Sequence, residues 1–181
     1  KGLRFELILL YYKEIMKFLN IIRHSESEIN SKDDFLRTLN DEGIKDAINL
    51  DNYLIQYNFK KHKIICSTSK RTRETLGYLQ NSLNPESKVI FSQDAYLGTF
   101  KKLLKEITLE AKNTRTITLI GHNPGLSDLL SYLIGNYDMR DMGTTSIASL
   151  SFYNQGQDIT YEGTAKLDFF VQSKNNIIID L

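Results

Sequence analysis

The chain has 181 residues, 23 Lys and Arg against 22 Asp and Glu, 41% hydrophobic residues, two prolines, one cysteine and no tryptophan, the makeup of an ordinary globular chain of about one domain. A net charge of +1 with no long basic block excludes electrostatic capture of nucleic acid or of an anionic membrane as the main role. The single Cys66, set in the apolar run Ile64-Ile65-Cys66, supports neither a disulfide framework nor a Cys-rich zinc site and reads as the buried thiol of a cytoplasmic protein.

The first segment stands apart. Its apolar stretch, Leu7 to Tyr12, is far short of the roughly 20 residues that span a bilayer. Lys13 and Glu14 occupy the place where an export signal would carry a small-residue cleavage site. Residues 1–15 are therefore expected to be an N-terminal extension outside the fold, and 16–181 a single domain opening at Met16-Lys17. From Phe18 the pattern alternates. Short β-rich runs appear at Phe18 to Ile22, Lys63 to Cys66, Lys88 to Phe91, Thr116 to Ile120 and Ile147 to Tyr153. Between them lie helical stripes. Ile44, Ala47, Ile48, Leu54 and Ile55 follow a start at Asn40-Asp41-Glu42, and Leu103, Leu104 and Ile107 form a shorter stripe. Leu126, Leu129, Leu130, Leu133 and Ile134 share one face of a helix ended by Gly135. The alternation predicts an α/β fold, a three-layer α/β/α sandwich around a mostly parallel sheet. Asp158 to Phe170 and Ile177 to Ile179 read as extended, with no place assigned in that sheet.

In an open α/β sheet ligands bind beyond the carboxyl ends of the strands. Three polar segments fall there: Arg23-His24, Ser67-Thr68-Ser69-Lys70-Arg71, and Gly121-His122-Asn123-Pro124-Gly125. Alone, a strand-end histidine is a surface or capping residue. Two of only three histidines at equivalent edges, with Arg23 and Arg71 beside them, point to a shared site. Asn123 is suited to cap a helix and Pro124 to open it, placing His122 at a helix N-terminus that favours anions. The remaining histidine, His62, lies in Lys60-Lys61-His62-Lys63 and reads as solvated. No H-x-x-x-H or C-x-x-C spacing offers a metal site.

Four segments, in order, resemble the signatures of the histidine phosphatase superfamily, the phosphoglycerate mutase-like fold: Ile21-Ile22-Arg23-His24-Ser25-Glu26, Ser67 to Thr75, Leu119 to Leu126 and Thr144 to Leu150. The compact length and the GHNPGL and TTSIAS segments are most similar to SixA-type phosphohistidine phosphatases. The resemblance implies that His24 is the nucleophile, that Arg23 and Arg71 bind phosphate, and that His122 is the second active-site histidine. Asn30 falls where the RHGExxxN form of the motif has a phosphate-contacting asparagine, against its reading as a plain loop residue. Arg37 falls where SixA-like sequences have Arg-Pro-Leu, as a third cation at the pocket mouth or a helix-flanking charge.

Ser25 replaces the usual glycine, Thr68 a common proline and Glu74 a common glutamine. Near Asp94 to Gly98 nothing matches the superfamily's proton-donating glutamate, which disfavours alkyl phosphate esters because an alkoxide leaves poorly unprotonated. Phosphoryl transfer needs an in-line nucleophile and positive charge on the nonbridging oxygens, and guanidinium groups supply that charge. A phosphohistidine substrate carries its own proton on the leaving imidazole. The expected activity is a metal-independent, cofactor-free phosphatase acting through a phosphohistidine on His24, with a phosphorylated protein bearing phosphohistidine as substrate. The alternatives are a small-molecule phosphomonoesterase and a catalytically weak phosphate-binding regulatory module.

Overall fold

A computed structural model describes residues 16–29, 32–139, 141–152 and 159–181; the extension at 1–15, Asn30 and Tyr153 fall outside the described residues. Among the described residues seven strands form one sheet in the order β3-β2-β4-β1-β5-β6-β7. They are β1 (Phe18–Arg23), β2 (Lys63–Ser67), β3 (Lys88–Ser92), β4 (Thr116–Gly121), β5 (Ser146–Phe152), β6 (Ala165–Lys174) and β7 (Ile177–Asp180). Among the described residues four α-helices cover it: α1 (Asp41–Leu54), α2 (Lys70–Tyr78), α3 (Phe100–Glu110) and α4 (Gly125–Ile134).

Strands β1 to β4 pair in parallel, while β5, β6 and β7 add antiparallel strands at the other side. The tail that had no assigned place supplies β6 and β7, so the sheet is parallel in the half that holds the site and antiparallel in the half that extends it. Strand alternation divides the core in two. Leu19, Ile21, Ile117 and Leu119 face Leu103, Ile107, Leu126 and Leu130, the α3–α4 layer. Ile22, Ile64, Cys66 and Ile120 face Leu50, Leu54, Leu79 and Leu83, the α1–α2 side. Burial pushes the Cys66 thiol up to about 12.

Helix α1 differs from its apolar stripe. Ile48 and Ile55 are exposed, whereas Asp46 and Asp51 are buried. Their carboxylates are the helix's ties to its neighbours: Asp46 accepts from the backbone N–H of Asn176 at 2.8 Å, and Asp51 from Ser82 N–H and Asn81 Nδ2, both at 2.8 Å. A buried carboxylate is tolerated where such donors replace water.

His62 is buried, not solvated. Its Nδ1 donates to the Lys60 carbonyl at 2.7 Å, leaving Nε2 to accept from the Thr118 hydroxyl at 2.9 Å. Thr118 Oγ1 in turn accepts from Asn20 Nδ2, and Asn20 Oδ1 from Ser149 Oγ. This polar chain runs from the start of β2 across β4, β1 and β5 beneath a cavity of about 1060 Å³ at the amino-terminal edge of the parallel strands. That cavity lies at the far end of the sheet from the site, and every member of the chain beneath it is partnered within the fold.

Two glycines fix the loops around the opposite edge. A Cβ on Gly43, in the first turn of α1, would collide with the Glu26 carbonyl, and one on Gly125 with the Gly98 carbonyl. These contacts hold the β1–α1 loop and the segment before α3 against the strand ends.

Candidate active site

The carboxyl ends of β1, β2 and β4 lie side by side, with Arg23 in register with Gly121, so the residues that follow them converge. A cavity of about 450 Å³ there is lined by Arg23, His24, Arg37, Arg71, His122 and Asn123, among others. It is smaller than the cavity at the far edge, but it holds the only two histidines whose rings approach each other, with centroids 4.9 Å apart.

His24 is buried. Its Nδ1 lies 2.7 Å from the Ser25 carbonyl, which can only accept, so Nδ1 carries the proton. Nε2 then presents a lone pair, and the Nε–H of Arg71 donates to it at 3.2 Å. Burial, and then the charges of Arg71, Arg23 and Arg37, push the His24 pKa down to about 3 against the bond to Ser25. Desolvation is the larger cause of its neutrality and the cations add to it.

His122 follows β4. Its Nε2 meets the hydroxyls of Ser67 at 2.9 Å and Ser69 at 3.2 Å, both at the end of β2, and its buried Nδ1 has no partner. With hydroxyls donating to Nε2, Nδ1 bears the proton and is a free donor in the pocket. Burial, the adjacent His24 and Arg71 lower its pKa, keeping it neutral. Helix α4 begins at Gly125, one residue later than Pro124 was expected to open it. Asn123 Oδ1 still accepts from the Ser127 N–H at 3.3 Å.

Arg23 is anchored through its guanidinium to the Met142 carbonyl at 2.7 Å, an acceptor it shares with Asn123 Nδ2; its buried Nε–H is unpartnered. An unpaired buried donor is costly, so Arg23 Nε and His122 Nδ1 together describe a pocket built for an acceptor-rich ligand. Arg37 reaches the mouth, donating to the Glu28 carbonyl at 2.6 Å and to Asp34 at 3.0 Å. Asn30 lies outside the described residues.

Two residues of the site were not foreseen. Asp34, in a 3-10 turn at Asp34–Leu36, receives Arg71 at 3.0 Å, the Tyr96 hydroxyl at 2.8 Å and Arg37 at 3.0 Å, while its carbonyl accepts from Arg71 at 2.5 Å. Tyr96 also packs edge-on against His122, centroids 5.5 Å apart. Burial alone would raise the Asp34 carboxyl, but the hydrogen bonds from Tyr96, Arg37 and Arg71 and the charge of Arg71 hold it well below the usual carboxylate range. Tyr96 falls inside the Asp94 to Gly98 segment, which holds no glutamate. Asp94 itself is exposed and paired with Lys102 at 3.3 Å. Among the described residues no group of three or more His, Cys, Asp or Glu could hold a metal ion, and no helix is long and apolar enough to cross a membrane.

Residues 19–94 match the profile described as the histidine phosphatase superfamily, branch 1. No curated protein sequence matches the chain. Among solved structures, one from Agrobacterium tumefaciens assigned as the phosphohistidine phosphatase SixA is 20% identical with a TM-score of 0.74, covering 86% of this chain and 97% of that one. A protein histidine phosphatase SixA solved with tungstate is 18% identical at TM-score 0.74, with the same coverage. A phosphoserine phosphatase from Entamoeba histolytica is 17% identical at 0.62, covering 90% of this chain and all of that one. At these identities the likeness is one of fold.

Proposed function

We infer that this chain, built on the sequence pattern and fold of the histidine phosphatase superfamily, is a phosphatase that forms a covalent phosphoryl intermediate on His24 and takes phosphohistidine as its substrate group. The observation that carries this reading is the combination of a neutral His24 with a presented Nε2 lone pair and, among the described residues, no carboxyl hydrogen-bonded to it. Asp34 is held ionised, Asp94 faces solvent, and Glu26 at the rim accepts from Asn40 at 2.9 Å.

In the first half-reaction His24 Nε2 attacks phosphorus in line as the bond from phosphorus to the substrate imidazole nitrogen breaks. The departing ring keeps the bonding pair at that nitrogen and the proton at its other one, so it leaves neutral without an enzyme acid. In this reading Arg23 Nε–H, His122 Nδ1–H and N–H groups of Arg71 would donate to the nonbridging oxygens. The Ser25 carbonyl receives the Nδ1–H of the phosphorylated ring, whose positive charge it offsets. In the second half-reaction water attacks phosphorus, the bond to Nε2 breaks, and the proton lost by water stays on the phosphate released. No metal enters either step; the guanidinium groups supply the counter-charge.

The structures assigned as SixA phosphohistidine phosphatases support the substrate class by fold. A panel comparing a phosphohistidine-bearing protein, p-nitrophenyl phosphate and phosphoserine tests it. The reading expects turnover of the phosphohistidine protein, slower turnover of p-nitrophenyl phosphate, whose phenolate leaves unassisted, and none of phosphoserine. Activity should be unchanged by EDTA. Phosphoserine hydrolysed as fast as phosphohistidine would favour the phosphomonoesterase reading.

A further inference from the structure

Arg71 is 4% exposed and three of the five N–H groups of its guanidinium are engaged: one goes to His24, one to the Asp34 carbonyl and one to the Asp34 carboxylate. The Asp34 side chain is 47% exposed on a loop turn. It binds Arg71 and Arg37 through separate oxygens, the arrangement by which a phosphate would bridge the two arginines. We propose that Asp34 is an internal competitor of phosphate, a carboxylate that pairs with Arg71 and Arg37, is displaced by the phosphoryl group, and returns to expel the product.

This inference rests on the phosphate-pocket reading above. Of the two partners, the buried guanidinium cannot retreat, while the half-exposed carboxylate can swing into water at little desolvation cost. Attack also requires Arg71 to withdraw its Nε–H from the His24 lone pair. An arriving phosphoryl group offers Arg71 new acceptors, so binding and exposure of the nucleophile become one event. The carboxylate has a second effect, because it adds a negative charge beside a site that must release a phosphate of charge about −1.5 to −2. Several cations face that ligand: Arg23, Arg37 and Arg71. Burial lowers the Arg23 pKa and the charge of Asp141 works against that shift, and Glu26 lines the rim. Asp34 is the carboxylate shown bonded to two of the three arginines. Tyr96 steadies the competing position through its hydroxyl and its edge contact with His122.

The test is the affinity of the full chain for inorganic phosphate and vanadate, measured by titration calorimetry and as inhibition constants, in wild type, Asp34→Asn and Tyr96→Phe. Asp34→Asn keeps an acceptor of the same shape but removes the charge. It should tighten phosphate binding about tenfold, equivalent to ~1.4 kcal/mol, and slow turnover wherever product release is limiting. Tyr96→Phe, which loosens Asp34 without touching charge, should move affinity the same way by a smaller factor and provides the result if Asp34→Asn does not fold. Unchanged or weakened phosphate binding in the folded variants would overturn the proposal and make Asp34 a brace that holds Arg71 in place. Failure of the wild type to bind phosphate or vanadate at all would overturn the pocket reading itself and this inference with it.

Discussion

The Nε–H of Arg71 donates to Nε2 of His24 across 3.2 Å, so the nitrogen best placed to attack phosphorus is capped by the cation best placed to bind it. That bond is possible only because His24 is neutral with its proton on Nδ1. A protonated imidazole would turn it into a clash of two donors and two charges.

His24 contributes chemistry without contributing much to the fold. Its Nδ1 bond is to the adjacent residue's carbonyl, and its ring contact is to another site residue. His24→Ala should abolish turnover while changing unfolding free energy by less than ~1 kcal/mol, read by activity assay and urea denaturation of the same sample. Collapse of the fold would make His24 structural.

Thr118→Val should do the reverse. It leaves His62 Nε2 without a donor and Asn20 Nδ2 without its acceptor in a fully buried layer, which costs about 2–4 kcal/mol for two unsatisfied groups. The far end of the sheet carries no site residue, so kcat/KM of the folded fraction should be unchanged. A urea midpoint equal to wild type would show that the chain of hydrogen bonds is dispensable.

The histidines also set an acid dependence. His24, His122 and His62 all have pKa values lowered first by burial, against a value near ~6.5 in the unfolded chain. Above that value both states are neutral and pH has no effect through these groups. Below it the unfolded chain takes up protons that the fold refuses, so stability falls as pH drops from about 6.5 toward the folded value of about 3 for His24. Urea midpoints should therefore be lower at pH 5 than at pH 7.5, while kcat/KM should show no acid limb from His24 near 6.5. A midpoint that rises on acidification would contradict the burial of neutral histidines.

Much of this was legible along the chain because it was local. The strand ends at Arg23, Ser67 and Gly121 follow from β-rich runs, and their convergence follows from parallel strands that share an edge. Asp34 and Tyr96 were not legible: their contact joins loops 62 residues apart, and nothing in Asp33-Asp34-Phe35 distinguishes a pocket carboxylate from a solvated turn. The three lysines flanking His62 suggest water, yet at the start of β2 its side chain is buried against Thr118. On α1 Ile48 is exposed, as is Ile55 just past its end, while Asp46 and Asp51 are buried because they bond to backbone and amide donors of remote segments.

The covalent intermediate is the centre of the account. Ser67 and Ser69 also bond to His122, a hydroxyl–imidazole pairing of the kind that activates serine nucleophiles, but both are fully buried, whereas His24 lines the open cavity. Rapid quench of a single turnover with labelled phosphohistidine protein separates the two, since a phosphoryl group on imidazole nitrogen is labile in acid and stable in alkali and phosphoserine is the opposite. The account predicts an acid-labile label on His24, absent in His24→Ala. An acid-stable label on Ser67, Thr68 or Ser69 would contradict it.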